Sequence, residues 1–518
     1  MNKSHINLYS LIAFITLMCL PQIMGCSSSD NTVGGVPVIP YYLAFEVISP
    51  QVVLSGHCLP VVIYQPNTNP RIDQKQALTL SCPERTGFGS VKLKRGMGSQ
   101  LIDMNWALGD VTELSVNVHN ELGVTVSEFQ VRVITDPVNR ELSGVLSPTE
   151  MVWDSTAIIQ ISDEVTIPAG NELTIQPGTI IELSENARVI VEGRVSCKGT
   201  RENPVVFSSD YSGLPWGEID HRSSGSEYRY TFFTNGGGDG SRSFGHSQSQ
   251  PVLRGTGCEV SFDHVYIFNN PGKAFGFSRS EVHMDSCLIS RCDTGGEFEL
   301  TLANFTNCYF MDIPNDDGVE FDDDNDCLYL VMPWAGGDSP TVLENCVFIE
   351  GKDDGIDHNG ANVIIRNCVI DGFDNEGVAT SNMNSIQILN TLVTNCEQGI
   401  EAGYGSPQVA IDHCLMINNE TGLRFGDWYN NECEGSITMT NSISINNSSH
   451  NVWNYVVRYG DPRHNAIDIS YSIVNDEEYN SGEGCITGTP EFSLDYLLKE
   501  DSPGRNAASD SRDIGLVE

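Results

Sequence analysis

Residues 311–360 hold fourteen Asp or Glu and a single Lys, Lys352. Carboxylates at that density repel one another, so the run needs open solvent, a shared proton or a cation. Asp322, Asp324 and Asp326 stand at alternate positions, and with Asp353 they offer hard oxygen ligands of the kind Ca²⁺ takes. A solvated acidic loop is the alternative. A second pattern places a glycine before an apolar residue with acids around it. It runs Asp316-Asp317-Gly318-Val319-Glu320, Asp353-Asp354-Gly355-Ile356-Asp357 and Asn375-Glu376-Gly377-Val378-Ala379. It continues as Glu397-Gln398-Gly399-Ile400-Glu401 and Glu420-Thr421-Gly422-Leu423-Arg424. If the apolar residue points inward, its neighbour points outward. Two columns result: Glu320, Asp357, Ala379, Glu401, Arg424, and Asp317, Asp354, Glu376, Gln398, Thr421. On neighbouring strands Asp354 and Glu376 would stand about 5 Å apart.

Two carboxyls at that spacing suit a nucleophile and acid in glycoside hydrolysis, or they share a cation. In the second case Lys352 or Arg424 would remove a proton beside a neutralised carboxylate. Trp334, Tyr404, Trp428 and Tyr429 could stack on sugar faces, and Arg366 and Arg424 could meet anionic groups. His358, two residues after Ile356, has an inward reading as a buried, hydrogen-bonded imidazole.

An internal repeat dictates what must position these side chains. A polar residue, Asn, then Cys recurs as Thr306-Asn307-Cys308, Glu344-Asn345-Cys346 and Arg366-Asn367-Cys368, and the register continues through Leu389-Asn390-Thr391, Asp412-His413-Cys414 and Thr440-Asn441-Ser442. Positions 287 to 308, 346 to 368, 368 to 391 and 391 to 414 are 21 to 23 residues apart. A coil of that length cannot bury its own inner face, so stacking is what folds it. Cys at one position of successive coils predicts small buried side chains rather than zinc ligands, since no CxxC pair occurs among them.

Upstream, Leu173-Thr174-Ile175-Gln176-Pro177-Gly178-Thr179, Val189-Ile190-Val191-Glu192-Gly193, Asn203-Pro204-Val205-Val206-Phe207 and Pro215-Trp216-Gly217-Glu218-Ile219 resemble the first rungs of right-handed parallel β-helix proteins of Bacteroidetes. Ser502-Pro503-Gly504 and Asp513-Ile514-Gly515 resemble their closing segment. The expected fold is all-β: a right-handed parallel β-helix over 138–500, closed by 501–518 and preceded by a small Ig-like β-sandwich over 37–137. Period-two strands such as Ala77-Leu78-Thr79-Leu80 and Phe129-Gln130-Val131-Arg132-Val133 support the sandwich. Its simplest role is a spacer, and Cys58 and Cys82 could pair within it.

Residues 1–25 read as a signal peptide, with Lys3 before an apolar run from Leu8 to Met24. Ile23-Met24-Gly25-Cys26 resembles a lipobox, which implies acylation (palmitate) of Cys26, and Ser27-Ser28-Ser29-Asp30-Asn31 begins a tether over 26–36 resembling that of Bacteroidetes surface lipoproteins. The resemblance implies an outer-membrane, cell-surface address, with other polysaccharide-uptake surface proteins as possible partners. With 69 Asp+Glu against 28 Lys+Arg the formal charge is −41 over 518 residues, which makes nucleic acid a poor partner. Hydrophobic content of 40% supports real cores.

The β-helix is shared by polysaccharide lyases, polygalacturonase-like hydrolases and binding proteins, so fold does not settle activity. Asp353-Asp354-Gly355 resembles the acidic motif of polygalacturonases, whose Gly-His-Gly turn and Arg-Ile-Lys segment are absent. The expectation is a lyase or glycosidase on an acidic, uronate-containing polysaccharide, with algal uronates among the candidates, assisted by Ca²⁺. Asp354, Glu376, Lys352 and Arg424 would be catalytic. Trp334, Tyr404, Trp428, Tyr429 and Arg366 would bind substrate, and Asp322, Asp324, Asp326 and Asp353 the metal. A non-catalytic glycan-binding lipoprotein is the alternative, and a structural role the third.

Overall fold

The repeat step becomes one coil of a parallel stack. The structure, a computed structural model, describes residues 45–106, 113–313, 325–427, 432–456 and 466–518. Three ladders of parallel strands run the length of the stack. The first includes Thr341–Glu344, Val363–Arg366, Ser385–Leu389 and Gln408–Asp412. The second includes Tyr309–Ile313, Val347–Gly351, Val369–Phe373, Leu392–Thr394 and Leu415–Ile417. The third includes Tyr329–Val331, Ile356–Asn359, Glu376–Ser381, Gln398–Ala402 and Thr421–Phe425, and ends on His450–Asn454. Register follows the repeat: Val347 pairs with Val369, Val369 with Leu392 and Leu392 with Leu415. Inward residues of all three ladders fill one bore, with stacked rings such as Phe310 on Phe348 at 5.1 Å.

The Asn-Cys motif is the corner between the first and second ladders. Asn307, Asn345, Asn367 and Asn390 have φ of 56, 54, 55 and 48°, a left-handed conformation that Asn tolerates better than most residues. Their side chains link coils, Asn345 Nδ2 to Asn307 Oδ1 at 3.4 Å and Asn390 Nδ2 to Asn367 Oδ1 at 2.8 Å. The next residue turns into the bore. Cys308, Cys346, Cys368 and Cys414 are fully buried, and each thiol donates to the carbonyl two residues back, as Cys368 Sγ does to Arg366 O at 3.3 Å. Where the column holds a hydroxyl the contact is the same: Thr391 Oγ1 reaches Leu389 O at 2.9 Å and Ser442 Oγ reaches Thr440 O at 2.7 Å.

The N-terminal body is one eight-stranded sheet. Its order is Glu46–Ile48, Cys58–Tyr64, Met97–Asp103, Arg85–Lys94, Lys75–Cys82, Glu113–His119, Thr125–Ile134 and Val52–Leu54, with only the last pair parallel. Leu59, Val61, Leu80, Val91, Val116 and Val131 are among its core residues. Cys58 and Cys82 are both free, so the disulfide between them does not form. Nor is this body a free stalk. Ile48 and Val62 pack with Val206, Phe232 and Leu288 of the second ladder's outer face. Arg95, 1% exposed, holds Asp371 Oδ2 through Nε and Nη2 at 3.0 and 2.8 Å, while its Nη1 donates to the carbonyls of Pro70 and Arg71. Lys94 bonds Asp312 and Glu350, and Lys75 reaches Glu350 at 2.8 Å.

Among the described residues no helix is long and apolar enough to cross a membrane. The signal, the tether and Cys26 lie outside the described residues.

Candidate functional site

The glycine of the second motif sets the site's floor. A Cβ on Gly355 would meet Gly377 O at 2.6 Å, and one on Gly399 would meet Gly422 O at 2.5 Å, so the third ladder can pack this closely only with glycine there. The apolar residue then faces the bore: Ile356 pairs with Val378, Val378 with Ile400 and Ile400 with Leu423. Its successor faces out, which places Tyr329, Asp357 and Ala379 in one column, followed by Glu401, Arg424 and Trp453. Glu376, Gln398 and Thr421 pair in the neighbouring column.

At one end of this face the carboxylates of Asp326, Asp354 and Asp357 converge, one oxygen of each lying within 4.8 Å of the others. Asp326 and Asp354 are buried and Asp357 half-buried. Asp354 Oδ1 accepts the backbone N–H of Glu376 at 2.9 Å. Burial, and then the charges of Glu376, Asp326, Asp353 and Asp357, push the Asp354 carboxyl well above its ordinary range. Three hard anionic oxygens at this spacing fit a divalent cation.

The middle of the face is a second charge cluster. Glu376 Oε1 accepts from Arg424 Nη2 at 3.1 Å and from Gln398 Nε2, and the same Arg424 nitrogen pairs with Glu401. The buried carboxyl of Asp427 also acts on Glu401. Burial and the Glu376 charge push Glu401 up, only partly offset by Arg424. Although burial opposes it, Glu401 and Glu376 raise the Arg424 pKa, fixing that guanidinium as a cation. It lies 5.9 Å from the Tyr455 ring centroid, and Trp453 stacks on His450 at 4.7 Å. Along the edge, Asn359 Nδ2 donates to Tyr329 Oη at 2.6 Å, and Asn382 Nδ2 donates to Asn359 and, at 3.5 Å, to Tyr404 Oη.

Asp326, Asp354, Glu376, Arg424 and Tyr404 are therefore on one face. Lys352 is partly buried, with Nζ 3.5 Å from Asn325 Oδ1. Asp353 stands outside the trio and accepts from Asn375 Nδ2 at 3.1 Å. Two residues are not brought there. Arg366 is on the first ladder, paired with Glu344 at 2.8 Å. Trp334 is in the turn leading back to the first ladder, over Gly336 and beside Arg279 and Glu281. His358 faces the bore, fully buried and bonded to Ala361 O, and burial lowers its pKa. Asp322, Asp324, Trp428 and Tyr429 lie outside the described residues.

Residues 299–461 match the family model described as "Right handed beta helix region". The body of the chain is a right-handed parallel β-helix. A solved structure, the crystal structure of alginate lyase from Paenibacillus sp. str. FPU-7, aligns at 12% identity over 56% of this chain and 95% of that one, with a TM-score of 0.17. Comparison with curated proteins gave no match.

Proposed function

We propose that this β-helix protein is an enzyme acting on an acidic, uronate-containing polysaccharide along the outer face of the third ladder. The observation that carries the reading is the convergence of Asp326, Asp354 and Asp357 beside the Glu376–Arg424–Glu401 cluster. The trio would hold Ca²⁺, which would supply the charge that neutralises a uronate carboxylate and so acidifies the carbon-bound proton next to it. Elimination then transfers that proton to a base, forms a carbon–carbon double bond and breaks the glycosidic carbon–oxygen bond, the leaving oxygen taking a proton. Lys352, beside the trio in sequence, is the candidate base; Arg424, held as a cation by two carboxylates, positions Glu376 and Glu401. Tyr404 lines the edge of the path.

A second reading has its own support. Asp354 is pushed toward its neutral form, as a general acid requires, and it accepts the backbone N–H of Glu376 on the next coil. That favours hydrolysis by this pair. The address proposed is a lipid anchor at Cys26 in the outer membrane, facing the medium.

The test uses the chain from Ser27 onward with uronate-rich and neutral polysaccharides, with and without Ca²⁺. Ultraviolet absorbance from an unsaturated uronate, abolished by EDTA and by Asp326→Asn or Asp357→Asn, is the expected result. New reducing ends without absorbance would move the assignment to hydrolysis. Binding with neither product would leave a glycan-binding protein.

A further inference from the structure

A cleft of about 1000 Å³, lined by no residue of the acidic face, opens between the N-terminal sheet and the corner of the β-helix. One wall is the amide ladder, Asn307, Asn345, Asn367 and Asn390, each on its own coil. The facing wall is the loop that follows Cys58–Tyr64, including Asn67 and Thr68. Tyr309 and Val347 form the floor. In a chain of formal charge −41, the charged side chains lining the cleft are Arg71, Asp495 and Glu518.

The left-handed corner explains why Asn occupies the ladder, but not why a second polar wall faces it. Asn307 and Asn345 are exposed and Asn367 half-exposed, whereas the Asn390 amide is closed by the C-terminal segment, donating to Val517 O at 3.2 Å and accepting the Val517 N–H at 2.9 Å, so the face open to the cleft is that of Asn345 and Asn367. Thr68 Oγ1 is a buried polar atom with no hydrogen-bond partner. A primary amide both donates and accepts, as do adjacent hydroxyls on a sugar ring, while a Tyr ring and an aliphatic floor suit the ring's C–H face. Coils of the stack repeat every ~4.8 Å, close to the length of one sugar in an extended chain. Asn345 and Asn367, on consecutive coils, thus meet the ligand at its own period.

We infer that this amide-walled cleft is a second glycan site, binding an extended neutral oligosaccharide parallel to the β-helix axis. It is independent of the acidic face and of any reaction there.

The experiment is calorimetric titration of the chain from Ser27 with cellohexaose, mannohexaose and xylohexaose. Asn345→Gly with Asn367→Gly removes two amides while keeping a residue that accepts the left-handed corner. Asn67→Gly does the same across the cleft, at a φ of 61°. At least one hexaose should bind, the double variant should lose at least tenfold in affinity, and Asn67→Gly should also weaken it. Asp354→Asn and Glu401→Gln should bind as the wild type does. Absence of binding by all three sugars overturns the inference, as does equal affinity in variants whose thermal midpoints match the wild type. Loss of binding in Asp354→Asn would assign the sugar to the acidic face and overturn it too.

Discussion

Asp354 and Glu401 are carboxyls that the fold pushes above their ordinary values of 3.8 and 4.5. A group raised in this way holds its proton more tightly in the folded chain. It stabilises the fold below the unfolded value, and that contribution is lost as pH rises from there through the folded value. The wild type should therefore lose stability across that window relative to Asp354→Asn, which cannot ionise; thermal midpoints of the two against pH provide the check. Near neutral pH, Ca²⁺ should raise the wild-type midpoint, because a ligand bound only by the folded state stabilises it. Asp357→Asn should blunt that rise. The sequence made Asp354, Glu376 and Arg424 legible because a glycine-apolar pair fixes which neighbour faces out. It placed Arg424 against a substrate anion, whereas the structure shows two protein carboxylates already on it. Trp453 escaped notice for a different reason: its coil follows a longer step and has Asn451 where earlier coils have glycine, so the motif that marks the column is missing.

At the scale of the element, the corner between the first and second ladders was half readable. Its period gave the coil, and Cys gave burial. The hydrogen bond from each thiol to the carbonyl two residues back was hidden, because only the backbone path of the corner brings those atoms together. This bond explains why Thr391 and Ser442 interrupt the Cys column without breaking it. Cys368→Ser should therefore cost under about 1 kcal/mol, since the hydroxyl keeps the donor and nearly the same volume. Cys368→Val should cost about 1–3 kcal/mol, because it loses the donor and adds a branch to a filled bore. Urea unfolding of both variants measures the difference. The Arg366 expectation failed to join the site at this same scale: its strand belongs to another ladder, and sequence spacing along one strand does not say which ladder faces what.

The whole molecule depends on a contact that no local pattern could announce. Residues 95 and 371 are 276 positions apart, yet Arg95 and Asp371 form a buried pair that fixes the N-terminal sheet to the β-helix flank. Removing one partner strands the other charge, at a cost of about 3–5 kcal/mol. Arg95→Ala should lower the thermal midpoint and open the boundary between the two bodies to protease before the β-helix itself unfolds. The pair also imposes a timetable. The N-terminal sheet is synthesised first, whereas the coil carrying Asp371 follows hundreds of residues later. Until then Arg95 has no counter-ion, and Ile48 and Val62 are covered only once the strands carrying Val206, Phe232 and Leu288 have been made. Docking is accordingly completed late in synthesis, and a chain halted before that coil is made carries an unpaired cation at the seam between its two bodies, a state in which a nascent protein needs a chaperone.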